Sequence, residues 1–288
     1  LAIGGIQIGI EVPENCVWDW PDQPISEYQC LPRDPEVHVG VRVADLDNHD
    51  LGGECYSMGS WTFEVARRGS DWQLGLSQGG RRVQLATFDR EFLAGEVILS
   101  EDSAASRAYP LRGPLDEWIV LHRTVARGGL CLTARAVADG DQAVVRLGVP
   151  DARPEAEGAA ASSSILGHNA ILLREERGHI RLFRTPWSES IDSLIGFECP
   201  VREFQYAEAA DRSFIEVLDP QEAAESLVTH AVVPLCDDGL LDRVLRNANR
   251  IAGVSRIVGI GEAAESDAPM AWNSPQLQGA FAPPREGP

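Results

Sequence analysis

Apolar and polar residues alternate with a period of two along most of residues 1–109. Ile3-Gly4-Gly5-Ile6-Gln7-Ile8-Gly9-Ile10 and Val37-His38-Val39-Gly40-Val41-Arg42-Val43 each turn one face toward a core. Residues 61–65, 72–76 and 82–88 repeat the pattern, separated by Arg67-Arg68-Gly69-Ser70-Asp71 and Ser77-Gln78-Gly79-Gly80, whose glycines suit hairpin loops. These segments predict an antiparallel β domain over 1–109.

The period changes near Pro110. Leu115, Trp118, Ile119, His122 and Val125 share one side of a helix over 115–126 that Gly128-Gly129 stops, and His122 on that face reads as a core histidine. Strands follow at 130–137 and 142–147, joined by the turn Ala138-Asp139-Gly140-Asp141. Two more at 170–174 and 179–183 flank the charged turn Glu175-Glu176-Arg177-Gly178. Helices are predicted over 220–228 and 237–251, the second amphipathic through Leu240, Leu241, Val244, Leu245 and Ile251. From Gly261 onward Glu, Ala, Ser, Pro and Gln dominate, the composition of a disordered tail. The expected class is α/β in the broad α+β sense, divided as 1–109, 110–260 and a tail over 261–288.

Charge narrows the partners. The chain carries 44 acidic residues against 25 basic ones, a formal net charge of -19. That balance disfavours nucleic acid, which needs a basic face. All 25 basic residues are arginine, because the chain has no lysine. A lysine nucleophile or Schiff base is therefore excluded. No apolar run reaches the roughly 18 residues of a membrane span, and residues 1–10 lack the basic start and cleavage site of a signal peptide, so a soluble, cytoplasmic protein is expected. Cys16, Cys30, Cys55, Cys131, Cys199 and Cys236 are scattered without zinc spacing and read mostly as buried thiols, with a Cys16–Cys30 bridge as the alternative for an exported chain. Asp45-Leu46-Asp47-Asn48-His49-Asp50 lacks the glycine and glutamate of a calcium loop and reads as a solvated acidic turn, so no metal is expected.

The segment 144–154 reads as a buried strand running into a loop and then a helix. With the helix at 118–126, the run 127–137, Ile165-Leu166-Gly167-His168-Asn169 and Arg184-Thr185-Pro186-Trp187, it resembles the HPr kinase/phosphorylase-like P-loop family over 110–260. The resemblance implies a P-loop-derived α/β domain and a nucleotide pocket. Its members carry a GxxxxGKS/T loop, whose backbone cradles phosphates while the lysine meets their charge. Here Gly148 is followed by Val149-Pro150-Asp151-Ala152-Arg153-Pro154-Glu155, without the second glycine, the lysine or the hydroxyl. Asp151, Glu155 and Glu157 place negative charge where phosphate would sit. Where the family has Ser-Asp-Asp, this chain has Gly167-His168-Asn169, and an asparagine cannot take a proton. Thr133 stands where relatives often have histidine.

Three parts of one mechanism are thus altered together, and the resemblance implies a pseudokinase that binds a protein or peptide as a regulatory or assembly subunit. The vestigial pocket would comprise Gly148, Arg153, Ser162, Ser163, His168 and Asn169, with no catalytic residue and no cofactor. Met270, Trp272 and Phe281 in the tail are candidate partner anchors. Two alternatives stay open: a divergent serine kinase using ATP and magnesium with Arg146 and Arg153 in place of lysine, and a purely structural subunit of a larger complex. The resemblance also leaves a homo-oligomer open.

Overall fold

The computed structural model describes residues 1–14, 16–21, 25–31, 33–46, 50–148, 165–187, 198–210, 214–233 and 237–263. They form an α+β protein rich in strands at its N-terminal end and divide into two compact units, with the boundary at Arg123/Thr124.

The first unit is built on one sheet of β1 (Ala2–Ile3), β2 (Ile6–Glu11), β3 (Val37–Val43), β4 (Glu54–Met58), β5 (Trp61–Arg68), β6 (Asp71–Gln78), β7 (Arg81–Phe88) and β8 (Ala94–Leu99), in the order β1-β2-β3-β8-β7-β6-β5-β4. From β4 to β8 it is an antiparallel meander, as the glycine-rich hairpin loops predict. It becomes parallel where β3 meets β2 and β8, so the unit is mixed rather than wholly antiparallel. The cause is connection length: the segments before and after β3 are long enough to cross over, which parallel neighbours require. The alternating run 3–10 is not one strand, because Gly4 and Gly5, at φ 59° and 71°, turn the chain between β1 and β2.

Helix α1 (Glu101–Ala105) is capped by Ser100, whose side chain accepts from Ser103 N. Helix α2 (Leu115–Ala126) sends Trp118, Ile119 and His122 into the aromatic core of the first unit. His122 is 4% exposed and lies 4.3 Å from the Phe92 ring, 5.6 Å from Trp118 and 5.7 Å from Trp72, so it is a core residue as its position on the helix suggests. This packing moves the boundary between units from the composition change at Pro110 to Arg123.

The first turn of α2 holds a strained set of acids. Asp116 is fully buried and accepts from Glu117 N at 2.9 Å. Burial, reinforced by Asp116, holds the Glu117 carboxyl well above its ordinary value and does the same to the Tyr109 hydroxyl. A carboxyl raised in the fold binds more protons than in the unfolded chain, so the stability it contributes is complete at acid pH. That contribution falls as pH rises from the ordinary carboxylate value through the raised one. Glu117→Gln is therefore expected to stabilise the protein at neutral pH, with little change at acid pH. Urea denaturation across that range would check it, and a loss of stability at pH 7 would contradict the assignment.

The second unit contains β9 (Leu130–Asp139), β10 (Gln142–Leu147), β11 (Ile165–Glu176), β12 (His179–Phe183), β13 (Glu198–Ala210), β14 (Phe214–Val217), α3 (Pro220–Thr229), α4 (Asp238–Val254) and β15 (Ile257–Ala263). Its sheet runs β10-β9-β11-β12-β13-β15-β14, and β10 also pairs with β13, so five strands form a hydrogen-bonded circuit. The hairpins β9–β10 and β11–β12 and both helices match the sequence pattern, whereas β13, β14 and β15 were not expected. Strand β15 reaches Ala263, past the expected start of the tail, with Glu262 and Ala263 paired to Ala209 and Ala210.

One core lies against this sheet. Leu132, Ala136, Val145, Leu147 and Phe204 of the sheet are fully or nearly buried, as are Leu227 of α3 and Leu240, Val244 and Ile251 of α4. Asp219 starts α3 by accepting from Gln221 N at 2.8 Å and Glu222 N at 3.0 Å, while Glu222 accepts from Asp219 N. With Pro220 at the first helical position, this is a complete capping box.

Cys16, Cys30, Cys55, Cys131 and Cys199 are free thiols, so the Cys16–Cys30 bridge is not formed; Cys236 lies outside the described residues. Only Cys131 and Cys199 of these are buried, which corrects the expectation of mostly buried thiols. Burial pushes the Cys199 thiol up to about 11, an effect Arg181 opposes and Glu198 reinforces. No helix among the described residues is long and apolar enough to cross a membrane.

Candidate functional site

Strand β10 ends at Leu147, and Gly148 follows it, the first residue of the expected phosphate loop. Its backbone is left-handed, at φ 72°, and a Cβ placed there would lie 2.5 Å from the carbonyl oxygen of Ala207 in β13. Glycine is required at this position for two structural reasons.

The strands around Gly148 are arranged in a particular way. β10 and β11 are both antiparallel to β9, which lies between them, so β10 and β11 run in the same direction. β11, the next described strand after β10, is therefore parallel to it, with β9 between them. β10 is also parallel to β13, and β13 to β15, giving three aligned strands whose carboxyl ends point the same way.

Register links the candidates across the sheet. Position 168 pairs with Arg135, Arg135 with Arg146, and Arg146 with Gln205, so one row crosses β11, β9, β10 and β13. Arg135, Arg146 and Gln205 are half-buried, and Gln205 donates to Glu203 Oε1 at 2.9 Å. Asn169 pairs with Ala134 in the next row. The segment after β12 is tied to the same strand, because the buried Thr185 hydroxyl donates to Ala170 O at 2.7 Å. Thr133 is exposed, and its N–H bonds to His230 O at 2.8 Å. His230 in turn donates from Nδ1–H to Ser226 O at 2.8 Å and lies edge-on to Tyr206, with ring centres 5.8 Å apart.

Of the expected pocket, the structure thus brings Gly148 and the backbone positions of His168 and Asn169 into one sheet. Arg153, Ser162 and Ser163 lie outside the described residues, as do the candidate anchors Met270, Trp272 and Phe281. Arg135 was missed by sequence reasoning. It stands opposite Arg146 because the β9–β10 loop is only Gly140-Asp141, with Asp139 paired to Gln142, two residues shorter than the turn read from the sequence, which would have set Arg135 against Val144.

The row sets Arg135 and Arg146 opposite each other on β9 and β10, and the positions in β11 paired with it and beside it carry His168 and Asn169 rather than carboxylates. Among the described residues no group of three or more His, Cys, Asp or Glu is placed to hold a metal ion. Compared with protein-family models and with curated proteins, the chain matches none.

Proposed function

We propose that this chain is an HPr kinase-like pseudokinase, a binding subunit that recognises a protein or peptide and does not transfer phosphate. The observation that carries the reading is the course of the chain at Gly148. A strand leads into a left-handed glycine and the next described strand, parallel to it, bears positions 168 and 169, as a phosphate-loop domain requires, yet no lysine exists to serve the loop. The tie from Thr185 to Ala170 supports the same reading, since it sets the Arg184-Thr185-Pro186-Trp187 segment against the strand of His168 and Asn169. A domain that has lost its chemistry can keep the surfaces that hold partners.

Isothermal titration with ATP and magnesium is expected to show no binding. A Kd below roughly 100 µM, about -5.5 kcal/mol, would overturn the pseudokinase reading. Arg135 and Arg146 side by side on neighbouring strands favour a second reading, a divergent ATP-dependent kinase whose phosphates rest on arginine. In that case titration would give binding that Arg146→Ala abolishes.

A further inference from the structure

Helix α4 carries a basic flank in a strongly acidic chain. Arg243, Arg246 and Arg250 recur at i, i+3 and i+7, a spacing that lines them up along one side of a helix. Leu240, Val244, Ala248 and Ile251 occupy the buried side. The arginine line meets the last turn of α2, where it and Arg127, Gly128 and Asn247 surround a cleft of about 430 Å³.

Part of this cluster closes the end of α2. Asn247 Nδ2 donates to Val125 O and Gly129 O, both at 2.9 Å, and Arg250 Nη2 donates to Gly128 O at 2.5 Å. Arg250 also pairs with Glu175 at 3.3 Å. These bonds satisfy carbonyls that a helix end leaves open, and a cation is favourable there. Capping accounts for Asn247 and Arg250. It does not account for Arg246, which is exposed and has no ion pair or hydrogen bond among the described residues.

We propose that this cleft docks an acidic peptide segment of a partner protein, its carboxylates lying over Arg243 and Arg246. Charge complementarity selects the occupant. The three arginines span ~10 Å of helix, room for two or three side-chain carboxylates of a short segment. A nucleic acid would run well beyond a Debye length of about 8 Å and meet the surface of a chain with net charge -19. Arginine suits carboxylates because its planar fork can hold both oxygens. The proposal rests on the reading of the chain as a binding subunit and names the chemistry of its partner.

The test uses the full chain and a fluorescent oligo-glutamate peptide, with oligo-glutamine as the uncharged control, followed by fluorescence anisotropy at low and high salt. Binding of the glutamate peptide alone, weakened by salt, is expected. Arg243→Glu/Arg246→Glu should lower its affinity at least ~10-fold, or about 1.4 kcal/mol. Arg33→Glu/Arg90→Glu, which changes net charge equally at exposed sites in the first unit, should lower it far less. Circular dichroism checks that both variants fold; if the first does not, Arg246→Gln alone should still weaken binding. Equal losses in the two charge-reversed variants, or no binding by the parent chain, would overturn the proposal. Tighter binding of tripolyphosphate or of an oligothymidylate would also overturn it, by assigning the cleft to phosphate. ATP binding that survives Arg243→Glu/Arg246→Glu would count against the pseudokinase reading, while the peptide arm still decides the cleft.

Discussion

Glu64→Ala is expected to destabilise the first unit by about 3 kcal/mol, because it takes a carboxylate away from a buried arginine. The Arg82 side chain is 4% exposed and pairs with Glu64, itself 17% exposed. The two residues sit on β7 and β5, with β6 between them, so the guanidinium must cross a strand to reach its partner. It can do so because the intervening residue is Gly75, which pairs with Glu64 on β5; a Cβ there would overlap Arg82 Nη1. Gly75→Ala should therefore cost a comparable amount by pushing Arg82 off Glu64. The two losses should fail to add in the double variant, since both break one interaction. Replacing the pair by Arg82→Met with Glu64→Leu should recover most of the stability, as apolar groups of similar size often do. Urea denaturation followed by tryptophan fluorescence reads this directly, because Trp18, Trp20, Trp61, Trp72 and Trp118 all lie in the first unit. A loss under about 1 kcal/mol for Glu64→Ala would mean that Arg82 reaches water or another acid.

Gly148→Ala should cost the second unit about 3 kcal/mol. A left-handed backbone penalises an L side chain by roughly 1–2 kcal/mol. The close approach of Ala207 O adds a similar amount, because two backbones must separate to admit the methyl group. Gly140 provides the control: its φ is 65°, and nothing lies within 4 Å of its Cβ position. Gly140→Ala should thus cost only the first of these penalties. Denaturation followed by circular dichroism would compare them, and equal losses would show that β10 and β13 part without cost at that point. The result bears on function as well. If Gly148 is held by β13, a glycine at this strand end needs no nucleotide to explain it.

Much of the fold was readable because its hairpins are local. The β9–β10 pair is announced by alternation on both sides of Ala138-Asp139-Gly140-Asp141, and α2 by its apolar stripe and the glycines beyond it. β13 was not readable, because Arg202, Glu203 and Gln205 break its pattern and its pairings lie with β10, β12 and β15, remote in sequence. The same distance hid the parallel contacts of β3 with β2 and β8. For the candidate site, Gly148 stood out as a strand-end glycine, but the carbonyl that dictates it belongs to the strand that was missed. The arginine spacing on α4 was present in the sequence; the carbonyls of α2 that it meets were not.

The circuit of β10, β9, β11, β12 and β13 has a consequence for the order in which the chain is made. β10 leaves the ribosome early with β9 as its neighbour, while its other edge waits for residues 201–206. At ordinary rates of synthesis that wait is on the order of several seconds, during which an apolar strand shows a bare edge to the cell. The five strands lose their free edges together when β13 arrives, and β14 is then left at the open margin of that sheet. Nascent chains halted before residue 201 should therefore be the ones that chaperones hold.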